Sequence, residues 1–366
     1  MKLVIAREDL LKPLQLVNNV IERRQTLPVL TNVLLNLRND TLTLTGTDLE
    51  VEMTATVSTE NAEDGEITLP GRKFLDICRA LPENARITLS IKDGKALLRS
   101  GRSRFTLSTL PAGDFPNLDP IENPFQFSIP QSVLKHLIEQ TQFSMAQQDV
   151  RYYLNGLMFE ISPQTLNGVA TDGHRLAMCH AELNTDIEQP RQIIVPRKGI
   201  VELSRLLEET DAEVRVQLGE NHLRLELPDI SFSTKLIDGK YPDYQQVIPA
   251  HPDKIVTCDR LSLLQSLTRA SVLSNEKYRG MRLQLRSGLL KVTIHNPEQE
   301  EAEEEIEVAY DGEDFEIGFN VSYFIDVLAV LPNDKVEIHF TDSNHSCLIN
   351  GAGETSCKYV VMPMRL

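Results

Sequence analysis

Three stretches decide the reading of this chain: Ile67-Thr-Leu-Pro-Gly-Arg-Lys-Phe-Leu-Asp-Ile-Cys-Arg-Ala-Leu81, Ile193-Ile-Val-Pro-Arg-Lys-Gly-Ile-Val-Glu-Leu-Ser-Arg-Leu-Leu207 and Phe315-Glu-Ile-Gly-Phe-Asn-Val-Ser-Tyr-Phe-Ile-Asp-Val-Leu-Ala329. Each runs a short apolar strand into an amphipathic helix. Their junctions, Pro70, Pro196 and Asn320, are 126 and 124 residues apart. A second landmark keeps the same spacing: Thr47-Asp48, Thr171-Asp172 and His295-Asn296 lie 124 and 124 apart. A helical apolar face opens each repeat, through Leu10, Leu14, Val17 and Ile21, then Leu134, Leu137, Ile138 and Thr141, then Leu263, Leu267 and Ala270. A period this long exceeds the ~20–50 residues of solenoid units and matches a small domain. The chain reads as three copies of one domain.

Within the first copy the strands read Val33–Arg38, Thr41–Thr45 and Val51–Val57, with Asn39-Asp40 as a hairpin turn, and then Arg86–Ile91, Lys95–Ser100 and Ser103–Ser108 with Asp93-Gly94 at a turn. The pattern predicts an α+β domain of mainly antiparallel sheet with two helices on one side. Pro13 lies inside the first helical pattern, where an interior proline costs ~3 kcal/mol, so a kink or a late helix start is expected. Linkers are expected at Pro111–Pro120 and Pro242–Pro252. The domains are therefore expected at 1–121, 122–250 and 251–366.

Each third is long enough to hold its own core. The five cysteines (Cys78, Cys179, Cys258, Cys347, Cys357) form no Cys-x-x-Cys pair and are expected to be reduced structural thiols. The N-terminal apolar run is too short for a signal peptide, and no stretch approaches the ~18 apolar residues of a membrane span, which predicts a cytoplasmic protein. The net charge of −16 counts against a nucleic-acid partner at first sight. It is unevenly spread, with nets of −1, −7 and −8 over 1–120, 121–250 and 251–366.

Asp172-Gly-His174-Arg175, with Cys179 nearby, is the one cluster of catalytic appearance, yet no nucleophile signature accompanies it. The eight histidines are scattered, and neither an EF-hand loop nor a phosphate-binding glycine loop is present, so no metal or cofactor is expected. The acidic run Glu298–Glu305 is either a solvated loop or an interface complementary to the basic Arg99-Ser-Gly-Arg102-Ser-Arg104-Phe of the first copy. Two such contacts between copies close a ring by two-fold symmetry. The apolar C-terminus, Tyr359-Val-Val-Met-Pro-Met-Arg-Leu366, reads equally as a final core strand and as part of a peptide groove built on Met362 and Met364.

Leu42-Thr-Leu-Thr-Gly-Thr-Asp-Leu-Glu50, Arg102–Pro111, Gln148-Asp-Val-Arg-Tyr-Tyr-Leu-Asn-Gly156, Ala170-Thr-Asp-Gly-His-Arg-Leu176, Asn296–Ala302 and Tyr359–Leu366 together resemble the bacterial DNA polymerase III β subunits, the sliding clamps, over essentially the full length. The resemblance implies the DNA clamp fold: three repeated clamp domains, antiparallel sheets outside and helices inside, closing as a head-to-tail homodimeric ring. It implies a non-catalytic processivity factor that encircles duplex DNA without sequence specificity. Implied partners are the replicative polymerase α subunit, the clamp loader, other DNA polymerases, mismatch-repair proteins and ligase, recruited through short Gln-Leu-x-Leu-Phe-type peptides, with no membrane and a nucleoid-associated location.

By position, the family's DNA contacts correspond to Arg24, Arg72, Gln148, Tyr152 and Tyr153, with Lys198 as a further basic candidate. The partner-peptide groove maps to Leu154, Thr171, Gly173, His174, Arg175, Leu176, Pro242, Val247, Asn320, Tyr323, Ser346, Val360, Met362, Pro363 and Met364. Gln246 and Asn344-His345 depart from the family form at the polar rim of that groove. The ring contact maps to Arg102, Arg104, Phe105 and Leu107 on the first domain, facing Val272, Leu273, Glu298, Glu300, Glu301, Glu303 and Glu304 on the third. The alternatives are an enzyme using His174 and Asp172, and a monomeric three-domain protein-binding scaffold.

Overall fold

A computed structural model describes every residue except 23–25, 117, 119–120, 251, 276 and 366. The described residues form six α-helices: α1 (Arg7–Asn19), α2 (Gly71–Ala80), α3 (Gln131–Thr141), α4 (Arg197–Leu206), α5 (Arg260–Ser271) and α6 (Val321–Val330). Two fall in each repeat. Their apolar faces are inward: Leu10, Leu14 and Val17 of α1, Leu134, Leu137 and Ile138 of α3, and Leu263, Leu267 and Ala270 of α5 are all buried. α1 ends at Asn19, two residues short of Ile21, and begins at Arg7, so it runs through Pro13 instead of starting after it. No described helix is long and apolar enough to cross a membrane.

The strands build four antiparallel sheets, two in each of two compact units. The unit comprising 1–134 and 198–236 holds a five-stranded sheet, ordered Glu60–Glu63, Lys2–Ala6, Arg86–Lys92, Lys95–Ser100 and Ser103–Ser108. Its eight-stranded sheet is ordered Phe125–Pro130, Glu213–Leu218, His222–Leu227, Ile230–Lys235, Val51–Ser58, Thr41–Thr47, Asn32–Arg38 and Gly65–Pro70. The unit comprising 135–197 and 237–366 holds an eight-stranded sheet ordered Arg191–Pro196, Gly156–Ile161, Thr165–Thr171, Arg175–Glu182, Cys357–Val361, Cys347–Gly351, Lys335–Phe340 and Lys254–Asp259. Its four-stranded sheet is ordered Glu301–Glu307, Leu289–His295, Gly280–Arg286 and Phe315–Asn320.

The compact units therefore do not coincide with the sequence repeats. Strands of the middle repeat pair with the first repeat through Ile230↔Ala55 and Phe232↔Met53, and with the third through Leu176↔Val360 and Ala177↔Tyr359. Each junction is a continuous ladder of backbone hydrogen bonds, which a hydrophobic pattern read one repeat at a time does not reveal.

Local chemistry explains the hairpins and the close packing. Asn39 and Asp40 take φ of 49° and 58°, and Asp93 and Gly94 take 50° and 68°, the left-handed pairs that two-residue hairpins need. Gly46 lets α1 rest directly on its sheet, because a Cβ there would lie 2.3 Å from the Val17 carbonyl oxygen.

In the proline-bearing stretches Phe115 is buried against Val29 and Leu30, and Tyr244, with the neighbouring Tyr241, is buried with Leu154, Leu176 and Val360. One expectation is corrected here. Cys179 and Cys357 are not free thiols. They lie directly opposite each other in the ladder that joins the second and third repeats and form a disulfide spanning 178 residues. Only Cys78, Cys258 and Cys347 are free, all buried; burial pushes the thiols of Cys78 and Cys258 up to about 12.

Candidate functional site

The Asp172-Gly-His-Arg motif folds as a tight side-chain-capped turn. The Asp172 carboxylate accepts the backbone N–H of His174 (2.9 Å) and of Arg175 (3.0 Å) and the Arg175 Nε–H (3.1 Å). Thr171 donates its hydroxyl to the Arg175 carbonyl at 2.6 Å, and its own Oγ1 receives the Gly173 N–H at 3.1 Å. Gly173 sits at φ +86°, and a Cβ there would lie 2.9 Å from the Arg151 guanidinium. Asp172 thus shapes a turn and has its oxygens filled by donors of that turn, so it does not orient His174 as a base.

Arg175 then ties three elements together. Its Nη1 donates to Asp326 on α6 at 2.5 Å and its Nη2 to the Phe143 carbonyl at 2.7 Å, while the guanidinium lies 4.6 Å from the Tyr323 ring centre and 5.4 Å from that of Phe143. Behind this wall is a cavity of about 180 Å³ lined by Arg151, Leu154, Thr171, Gly173, Arg175, Leu176, Pro242, Asp243, Tyr244, Val247, Val360 and Met362. Its floor belongs to a packed cluster of Leu154, Met158, Val169, Leu176, Ile194, Tyr244 and Val360, so the apolar surface is rigid. The Tyr244 hydroxyl donates to Glu160 at 3.0 Å, and burial with that carboxylate pushes its pKa up to about 12. Burial raises the Glu160 carboxyl, but donors from Gln192, Asn167 and Tyr244 outweigh it and hold the group below its ordinary value.

Nine of the fifteen residues expected in the groove line this cavity. The others stand beside it: Tyr323 stacks on Arg175, Ser346 Oγ donates to the Val247 carbonyl at 3.2 Å, and the His174 carbonyl receives the Met362 N–H at 2.9 Å. The Met364 N–H bonds the Gly318 carbonyl at 2.8 Å, fixing the tail through Pro363, and Asn320 caps α6 by accepting the Ser322 N–H at 2.9 Å. Arg151, Asp243 and Tyr244 were missed. Arg151 lies within a quoted motif, and the other two lie in a stretch read as linker.

Gln148, Tyr152 and Tyr153 share one loop with Arg151. Asp149 and Asn155 clamp it with reciprocal bonds of 2.9 and 2.9 Å. Arg151 donates to the Asp149 carboxylate at 3.0 and 2.8 Å, which brings that carboxyl down to about 2. The clamp presents Val150 (95% exposed) and Tyr152 (58%) at its tip, with Tyr153 edge-on to Tyr152 at 5.8 Å. Arg72 is exposed on α2, and Arg24 lies outside the described residues. Lys198 is held within the chain: its ammonium donates to the buried Asp48 carboxylate, to Glu22 at 2.9 Å and to the Val20 carbonyl at 3.2 Å, so its three donors have internal acceptors.

Each of the four sheets ends in two edge strands, and two of these carry the residues expected at the ring contact, Ser103–Ser108 in the first repeat and Glu301–Glu307 in the third. The first carries exposed Arg104 and half-buried Phe105, with Arg102 in the preceding turn, whereas Leu107 points into its own sheet's core and is buried. In the third repeat Val272 is 78% exposed beside half-buried Leu273. Several of the glutamates have intrachain partners: Glu304 with Arg269 (2.6 Å), Glu303 with Lys291 (2.5 Å), Glu301 with His295 (3.5 Å) and Glu300 with Asn296 (2.7 Å). Glu298 has none among the described residues.

Three domain models of one family, described as the DNA polymerase III beta subunit N-terminal, central and C-terminal domains, match residues 1–119, 128–243 and 245–365. The chain belongs to the DNA polymerase III beta subunit family. It is 55% identical to the beta sliding clamp of Pseudomonas aeruginosa and 52% identical to that of Escherichia coli (strain K12), each alignment covering 100% of both chains. The crystal structure of the DNA polymerase III subunit beta from Pseudomonas aeruginosa superposes with a TM-score of 0.97 at 54% identity, and that of Caulobacter crescentus with 0.93 at 37%, both over 100% of each chain. As a member of this family the chain is a sliding clamp, a non-catalytic processivity subunit of the replicative polymerase, with DNA and polymerase as partners. The catalytic reading of His174 and Asp172 is thereby overturned, in keeping with the donors that fill the Asp172 oxygens.

Proposed function

We propose that two copies of this chain close head-to-tail into a ring around duplex DNA. The observation that carries this reading is that two of the sheet-edge strands differ in charge, one basic and one acidic, because an antiparallel edge with unmet N–H and C=O groups pairs with another strand unless something blocks it, and opposite charge selects which edges meet. Joining the Ser103–Ser108 edge of one copy to the Glu301–Glu307 edge of the next is heterologous, and two such joins close a dimer. Glu303 and Glu304 already have internal cations, and exposed ion pairs contribute only ~0–1 kcal/mol each. Phe105, Val272 and Leu273 therefore supply more of the contact than any single charge, with Arg102, Arg104 and Glu298 setting its polarity.

In this reading the domains run 1–121, 122–250 and 251–366, a division supported by the order of the three matched family domains. Arg24, Arg72, Gln148, Tyr152 and Tyr153 face DNA. The cavity bounded by Arg175, Leu176, Val360 and Met362 receives the short peptides of the polymerase α subunit, the clamp loader, other polymerases, mismatch-repair proteins and ligase in turn. The protein works in the cytoplasm on nucleoid DNA, and its net charge of −16 repels DNA from surfaces other than the channel. Topological retention is the direct test. Protein loaded on a nicked circle must stay bound through gel filtration at high salt and be released when the circle is linearised. Loss from intact circles at the same rate as from linear DNA would favour the monomeric scaffold.

A further inference from the structure

The disulfide of Cys179 and Cys357 has an imidazole beside it. His136, exposed on α3, places its Nε2 3.9 Å from the Cys357 Sγ, and the two sulfurs and a ring nitrogen all lie within 4.8 Å of one another. The register explains the meeting. Cys179 and Cys357 form the last rung of the ladder between Arg175–Glu182 and Cys357–Val361, with Cα atoms 4.0 Å apart. On its other side Cys179 pairs with Gly168, where a Cβ would lie 3.8 Å from the Leu137 carbonyl oxygen of α3. With no side chain on that rung, α3 rests on the sheet, and His136, one residue before Leu137, arrives at the sulfurs.

The surroundings suit a cation. Tyr359, two residues after Cys357 and so on the same sheet face, donates its hydroxyl to Gln140 of α3, which leaves Lys358, the one cation of that strand, on the opposite face. Glu354 is fixed close by: its Oε1 accepts the N–H groups of Thr355 (2.9 Å) and Ser356 (2.8 Å) and the Ser356 hydroxyl (2.6 Å), and its charge acts on the His136 ring.

We infer that Cys179, Cys357 and His136 form a redox-gated site for a soft, tetrahedral cation of the Zn²⁺ class. A dithiol reductant opens the S–S bond: two electrons and two protons pass to the sulfurs, and the reductant leaves as its own disulfide. Zn²⁺ then replaces the two thiol protons, which go to water, and takes His136 as the neutral imidazole, with a water in the fourth position. Bonds of about 2.3 Å to sulfur and about 2.0 Å to nitrogen at tetrahedral angles put those donors about 3.6 Å apart. The observed 3.9 Å needs a shift of only about 0.3 Å to match. Two thiolates and an imidazole are the donor set that soft cations select, and the exposed His136 gives the ion its way in. Either closure pins the same rung, the disulfide under oxidising conditions and the metal under the reducing conditions usual inside cells.

The test uses the full-length protein, reduced with a phosphine that supplies no thiol ligand, freed of metal and titrated with Co²⁺ and then Zn²⁺. One Co²⁺ per chain is expected, with a thiolate-to-cobalt charge-transfer band that one equivalent of Zn²⁺ bleaches; the disulfide form gives no band. Cys179→Ser and Cys357→Ser should lose the band, and Cys258→Ser, at a buried thiol elsewhere, should keep it. His136→Ala removes an exposed side chain, so it should fold as the parent does while its Kd for Zn²⁺ rises at least about tenfold, the least that even an outer-shell partner is worth. Reduced parent protein without the band overturns the inference, as does a disulfide that resists the phosphine in the folded chain. A Cys357→Ser band equal to the parent's also overturns it. Should a serine variant not fold, His136→Ala decides alone: Zn²⁺ bound as tightly as by the parent refutes the site.

Discussion

Replacing Arg175 by methionine keeps the length of the side chain and removes its donors. The wild-type guanidinium holds Asp172, Asp326 and the Phe143 carbonyl and lies against two aromatic rings. Asp172 keeps two backbone donors without it, and Asp326, with a side chain 42% exposed, recovers water, so that ion pair is discounted to ~0–1 kcal/mol. The charged hydrogen bond to the carbonyl contributes about 1.5–3 kcal/mol and each ring contact about 0.5–1 kcal/mol. The expected loss is about 3 kcal/mol, which lowers the melting temperature of a unit of this size by about 6–12 °C. Because Arg175 also walls the cavity, the dissociation constant for a Gln-Leu-x-Leu-Phe-type peptide should rise at least about tenfold, or 1.4 kcal/mol. Arg175→Lys should rescue little, since a point charge reaches one acceptor where the fork reaches three. Scanning calorimetry and isothermal titration on the three proteins decide the matter. Arg175→Met with an unchanged melting temperature, or Arg175→Lys indistinguishable from the parent in both assays, would refute the assignment of Arg175 as the node of the groove wall.

Acid should loosen the loop from Asp149 to Asn155 before it unfolds the protein. The folded Asp149 carboxyl lies at about 2 against 3.8 in isolation, so its hold on Arg151 is complete above about pH 4 and is lost as the pH falls through about 2. Amide protection factors at residues 149–155, followed from pH 5 to 1, should fall with a midpoint near 2, and in Asp149→Asn they should be low throughout. At the proposed ring contact, Val272→Ser with Leu273→Ser removes apolar surface that is already exposed or half-exposed, so each chain should keep its melting temperature while light scattering reports a single-chain mass. A dimer that persists in this variant would place the contact elsewhere. Gly173→Ala puts a Cβ into the Arg151 guanidinium at φ +86° and should cost about 1–2 kcal/mol in stability, with a weaker peptide complex; an unaltered melt would show that the turn has room to shift.

The repeats, their six helices and the α+β class could be read directly, because apolar spacing and turn chemistry are local: α1 to α6 each carry a face of buried residues at helical intervals, and Asn39-Asp40 and Asp93-Gly94 mark hairpins by backbone conformation alone. Likewise the family resemblance carried residues such as Leu176, Val360 and Met362 to the cavity they line. Other features depend on which strands become neighbours. Cys179 and Cys357 are 178 residues apart and meet only because Arg175–Glu182 pairs with Cys357–Val361. Tyr244 joins the groove because a proline-bearing segment packs into a core instead of crossing solvent. Lys198 occupies the start of α4, as its sequence position predicts, but Asp48 arrives from the end of a strand 150 residues earlier and pairs with its charge. Periodicity and turn propensity report what each segment prefers, and those preferences add along the chain. Whether a cation is free to meet phosphate or is neutralised within the chain depends on a distance of a few ångströms between distant residues, which only the assembled sheets and helices decide.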